Sequence, residues 1–151
     1  MRDLYVCDTC CLISYFDDIF SPLGAGINIS SNTRHLMDRA IKPFEDNIKL
    51  SIPSVVFIEI FDKWLIKEEY VKSFYYNAYL KLLESPNVEI KPIERDVLEI
   101  LITIKDELDE HEISDKIVVS SAIELDCSLL TTDNKVIEYN KRRKRIMRIV
   151  S

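Results

Sequence analysis

Short apolar runs at residues 4–7, 48–52, 88–90, 128–131 and 146–150 alternate with stretches whose apolar residues recur at helical spacing. The helical stretches are Val55-Phe57-Ile58-Ile60-Phe61-Trp64-Leu65, Val71-Phe74-Tyr75-Ala78-Tyr79-Leu82, Val97-Leu101-Ile104-Leu108 and Ile117-Val118-Ser121-Ala122-Leu125. The order reads β-α-α-β-α-α-β-α-α-β-α-β. Parallel strands need crossover connections, and helices on those crossovers cover both faces of a sheet. The expected architecture is therefore three-layer α/β/α, with a central parallel sheet of about five strands in the order 3-2-1-4-5. The chain has only two glycines, and both fall in residues 21–33, which read as the longest loop. The aromatic residues at helical spacing between Phe57 and Tyr79 fit a core, or the seam of a helical hairpin, better than a base-stacking surface.

A doubly wound sheet gathers ligands beyond the carboxyl ends of its strands, where the strand order reverses. Asp8 and Asp133 fall at the ends of the first and fourth apolar runs, which are neighbours in that order. Asp115 opens the helix leading into the fourth run, and Glu59 interrupts the apolar stretch 55–61 after the second. Both can reach the same crevice. Singly, each acid has a modest explanation: Ser114, Asp115, Thr132 and Asp133 suit helix N-caps, and Glu59 suits a pair with Lys63 one turn on. Together, four ionised carboxylates in one pocket require a compensating cation. Oxygen donors with no His or Cys among them select Mg²⁺ or Mn²⁺ over zinc or copper, and such ions serve phosphodiester hydrolysis.

Cys7-Asp8-Thr9-Cys10 is the competing motif. A redox C-x-x-C pair opens a helix, whose dipole lowers the thiol pKa, whereas Cys7 falls inside the first strand. Zinc would need a second ligand pair, which Cys127, His35 and His111 do not supply. Buried cysteines that pack as small apolar residues are expected.

A chain of 151 residues with 47% hydrophobic content suits one domain over residues 1–151. No run approaches the roughly 18 apolar residues of a membrane span. Three of the four cysteines crowd into positions 7–11, unlike a secreted disulfide framework, and a cytoplasmic location is expected. The net charge of -6 divides unevenly: residues 141–151 carry six basic residues and no acid, leaving 14 basic against 26 acidic residues, or -12, over residues 1–140. That balance excludes a general nucleic-acid binder, so any such contact is local. Arg142, Arg143 and Lys144 suit contact with RNA phosphates, and equally suit a solvated turn guarding an edge strand.

In Val6-Cys7-Asp8-Thr9, Ile52-Pro53-Ser54-Val55-Val56-Phe57-Ile58-Glu59-Ile60, Ser114-Asp115-Lys116-Ile117-Val118-Val119-Ser120-Ser121-Ala122 and Leu130-Thr131-Thr132-Asp133-Asn134, the chain resembles PIN-domain nucleases. No piece is specific alone; the specificity lies in the ordered set, which ends in a T-x-D element 18 residues after Asp115 (133 minus 115). The resemblance implies a Mg²⁺- or Mn²⁺-dependent endoribonuclease with Asp8, Glu59, Asp115 and Asp133 as its acidic site and Thr9 as a helper beside Asp8. It also implies a VapC-type toxin of a toxin-antitoxin pair, with an RNA substrate, an antitoxin partner and a homodimer. The negative pocket makes a basic segment the fitting inhibitor. One departure is the 51 residues from Asp8 to Glu59 (59 minus 8), longer than expected of compact toxins, with extra chain around residues 21–47. Two other readings stand beside this one: a PIN-like RNA-binding or protein-interaction module without catalysis, and a redox protein built on Cys7 and Cys10.

Overall fold

The computed structural model describes residues 3–42 and 47–151. One sheet holds the strands β1 (Asp3–Cys7), β2 (Ile48–Pro53), β3 (Val88–Lys91), β4 (Ser128–Leu130) and β5 (Arg148–Val150), all parallel, in the order β3-β2-β1-β4-β5. Between β1 and β2 lie α1 (Thr9–Tyr15), α2 (Asp17–Phe20) and α3 (Ser31–Ile41). Between β2 and β3 lie α4 (Ser54–Lys63), α5 (Glu68–Phe74) and α6 (Leu80–Glu84), the last two joined by a π-helical turn, Tyr75–Tyr79. The pair α7 (Arg95–Ile104) and α8 (Ile113–Glu124) precedes β4, and α9 (Asn134–Arg143) leads into β5. This is the three-layer α/β/α arrangement, and its strand order is the expected 3-2-1-4-5.

Helices on both faces explain the composition of the central strands. Val6 and Cys7 in β1, Leu50 and Ile52 in β2, and Leu129 and Leu130 in β4 are buried, as strands covered on two sides require. The aromatic stripe divides. Phe57 and Phe74 are core, while Phe61, Tyr75 and Tyr76 reach the surface and line an apolar hollow of about 530 Å³. No helix among the described residues is long and apolar enough to cross a membrane.

The loop expected over residues 21–33 is shorter than that. A 3₁₀ turn occupies Ser21–Leu23, residues 24–30 carry no regular structure, and α3 starts at Ser31. Its cap is Ser30, whose Oγ accepts the Thr33 N–H at 3.1 Å. Only Thr33, Met37, Ala40 and Ile41 of α3 are buried, too thin an apolar stripe to show as a helical period. Residues 43–46, part of the extra chain between Asp8 and Glu59, lie outside the described residues. The helix expected to run from Val97 to Leu108 ends at Ile104 and tightens into a 3₁₀ turn, Lys105–Leu108.

Candidate functional site

Register places the first two groups of the site. Cys7 of β1 pairs with Leu130 of β4, so Asp8 and Thr131 leave the sheet side by side at its carboxyl edge. The backbone N–H of Asp8 donates to the Leu130 carbonyl at 3.2 Å, and that of Thr131 to the Val150 carbonyl at 3.1 Å, so the ladder holds one residue beyond the strands.

Asp8 then caps α1, its Oδ1 accepting the Cys11 N–H at 2.8 Å. Burial pushes the Asp8 carboxyl up to about 6, against the Thr131 hydroxyl and the Cys11 N–H, which pull it down; Asp115 adds to the rise. Asp133 caps α9 in the same manner, with Oδ1 accepting the Lys135 N–H at 2.9 Å, and its own N–H donates to Thr131 Oγ1 at 3.1 Å. Each of these caps engages one carboxylate oxygen, Oδ1, with a backbone N–H.

Asp115 sits in the first turn of α8 but does not cap it. The N-cap is Glu112, so Asp115 keeps its carboxylate for other contacts. Its pKa is raised by burial first, then by Glu59 and Asp133, while His111 lowers it. Glu59 is held on α4 with its side chain 15% exposed. Its Oε1 lies 3.9 Å from Lys63 Nζ, but Lys63 is engaged by Glu112, and Glu59 Oε2 is buried with no hydrogen-bond partner among the described residues. The local roles weighed for Glu59 and Asp133 are thus present in the structure, yet they leave Glu59 Oε2 without a hydrogen bond among the described residues.

One side chain registers all four acids. The half-buried thiol of Cys10 is pushed up to about 12 by burial and then by Asp8, Glu59, Asp115 and Asp133. Cys7 and Cys11 are fully buried and their thiols are raised as well, Cys127 is raised to about 11, and all four cysteines are free. Raised thiols held in or against the core suit packing residues better than a redox pair. Thr9, expected as a helper, is buried at the start of α1.

Two neighbours were not read as part of the site. Thr131 lies in the T-x-D element itself, and its hydroxyl serves both Asp8 and Asp133. His111, in the turn before α8, places Nε2 3.4 Å from Asp133 Oδ2. Its only sequence cue is its place four residues before Asp115. Arg142, Arg143 and Lys144 lie elsewhere. They are exposed at the carboxyl end of α9, about 15 Å along the helix from Asp133. Basic residues there complement the helix dipole.

The donors at the edge fit a hard divalent cation in kind: they are carboxylates, and Glu59 Oε2 is orphaned. Among the described residues, no three His, Cys, Asp or Glu side chains are grouped as ligands of one ion. Mutually repelling carboxylates without a counter-charge are expected to stand apart in this way.

A parallel sheet in the order 3-2-1-4-5 between two helix layers, with acids leaving β1 and β4 at one edge, is a PIN-like fold. The chain is similar to a chain in the solved structure of VapBC2 from Rickettsia felis bound to a DNA fragment from their promoter, with a TM-score of 0.63 and 15% identity over 96% of each chain. At that identity the likeness shows the fold. No protein-family model matches the sequence, and no curated protein matches it.

Proposed function

We propose that this protein is a Mg²⁺- or Mn²⁺-dependent endoribonuclease, a single PIN-like domain over residues 1–151 that hydrolyses RNA phosphodiester bonds in the cytoplasm as the toxin of a toxin-antitoxin pair. The observation that carries the reading is the convergence of Asp8, Glu59, Asp115 and Asp133 on one edge of the sheet, felt together at Cys10. Asp8, Asp115 and Asp133 would hold the metal, and Glu59 would hold it or orient the attacking water. When bound, a divalent ion there supplies the charge that steadies a phosphoryl transition state and makes water more acidic. The chain's own part is to fix the acids: helix caps orient Asp8 and Asp133, and the Thr131 hydroxyl accepts the Asp133 N–H.

The fold of VapBC2 supports an antitoxin as the partner. The body charge of -12 over residues 1–140 favours a partner segment that brings an Arg or Lys to the acids. A second copy of the chain is the other partner proposed. Contact of Arg142, Arg143 and Lys144 with RNA would be with flanking strand, since they lie down α9 from the acids.

One observation favours a second reading, a PIN-like binding module without catalysis: no three of the described side chains are grouped for a metal. Purified protein incubated with single-stranded RNA, a tRNA-like hairpin, duplex RNA and single-stranded DNA, with Mn²⁺, Mg²⁺ or chelator, separates the two. Metal-dependent cuts in one RNA class support the nuclease; binding without cuts in any metal supports the module.

A further inference from the structure

The substrate proposed for this site is a polyanion, yet the site is acidic within a body of charge -12 over residues 1–140. A phosphate approaching Asp8, Glu59, Asp115 and Asp133 meets four like charges, and a cation at their rim lowers that barrier. Arg142, Arg143 and Lys144 stand too far off, a helix length down α9. Lys63 is in place. It follows Glu59 by one turn of α4, with Nζ 3.9 Å from Glu59 Oε1. Among the described residues no other lysine or arginine is ion-paired with any of the four acids.

Lys63 is also able to change partners. Its side chain is 44% exposed, and its present bond, 2.5 Å to Glu112 Oε2, is to a carboxylate 63% exposed. Ion pairs this exposed add little stability, and Glu112 returns to water when Lys63 leaves, so a phosphate can take its place at small cost. Lysine binds phosphate as a point charge on a flexible stem, with no fixed fork to align. Its pKa is raised by the Glu112 bond first and then by Glu59, against burial, so the charge is secure.

We propose that Lys63 is the substrate-binding cation of this site: its ammonium leaves Glu112 and takes an RNA phosphate at the rim beside Glu59. The proposal rests on the reading of the protein as a ribonuclease. The rival role is a brace, in which the Lys63–Glu112 pair only ties α4 to α8, the helices that carry Glu59 and Asp115. Glu112 separates the two. It competes with the phosphate in the first role and is the indispensable partner in the second.

Phosphate contacts carry no sequence information, so a fluorescently labelled, mixed-sequence single-stranded RNA serves as the probe. Its binding is read by anisotropy over a range of salt, in chelator so that the strand stays whole. In Lys63→Gln the dissociation constant is expected to rise about fivefold or more, and the slope of log affinity against log salt to shrink by about 0.7, the share of one single-strand phosphate contact. Lys63→Arg restores most of both, and Glu112→Gln binds at least as tightly as the wild type. If Lys63→Gln and Glu112→Gln weaken binding alike, the pair is a brace and the proposal is overturned. If Lys63→Gln changes neither affinity nor slope while the wild type binds, the proposal is overturned and the RNA reading stands. If the wild type binds no RNA in chelator or in Mn²⁺, both fall.

Discussion

Asp8 and Thr131 leave neighbouring strands side by side, and the Thr131 hydroxyl, which pulls the Asp8 pKa down against burial, accepts the Asp133 N–H at 3.1 Å. One small side chain therefore acts on both acids that follow β1 and β4. Thr131→Val keeps the shape and removes the oxygen, leaving the Asp133 N–H without its acceptor and Asp8 without the hydroxyl that lowers its pKa. A loss of about 1–3 kcal/mol in denaturant unfolding is expected, and Thr131→Ser should recover most of it. Equal stability of the Val and Ser variants would show that the hydroxyl link is idle.

Asp8 gives a pH signature. Its folded pKa of about 6 lies above the ordinary 3.8, so the folded state holds the proton more tightly than the unfolded chain. Stability without metal therefore falls as pH rises between those values and stays low above 6, a change of roughly 3 kcal/mol. Asp8→Asn removes that loss, and Asn can still cap α1. In metal-free buffer the variant should melt higher than wild type at pH 8 and not at pH 3.5. A wild-type advantage at pH 8 would contradict the assignment of burial as the dominant influence.

The basic end of α9 separates binding from chemistry. Replacing Arg142, Arg143 and Lys144 with Ser should weaken RNA binding and flatten its salt dependence, with cleavage at saturating RNA unchanged, because the acids are a helix length away. An unchanged salt slope would leave these residues only their helix-end role.

An inhibitory partner is expected to work by charge. Co-purification with the product of the adjacent gene should block cleavage, and truncating that partner's basic segment should restore it while the complex persists. Association should slow as ionic strength rises. If no neighbouring product binds, and expression slows growth no more than Asp115→Asn does, a housekeeping RNA-processing role replaces the toxin role.

The sequence carried the sheet because its strands are buried on both faces, so that residues 48–52 and 128–131 stand out as apolar runs between helical periods. It left the position of α3 unmarked, because the stripe of that helix is thin and its cap, Ser30, resembles any loop serine. Asp8, Glu59, Asp115 and Asp133 could be picked out because acids at strand ends and inside apolar helices are costly without a use. His111 could not, since its approach to Asp133 spans 22 residues (133 minus 111) and depends on the 3₁₀ turn that ends α7 early. Asp115 was weighed as a helix cap, and the start of α8 at Ile113 removes that explanation.

The decisive measurement is the cleavage rate of one end-labelled RNA by chelator-treated protein as Mn²⁺ is titrated back, with Asp8→Asn and Asp115→Asn purified in parallel. Activity should be absent under chelator, return saturably with Mn²⁺ in the wild type, and remain at least about a hundredfold lower in both variants although they stay folded. Cleavage that persists under chelator, or that both variants perform at the wild-type rate, would contradict a metal-dependent nuclease built on these acids.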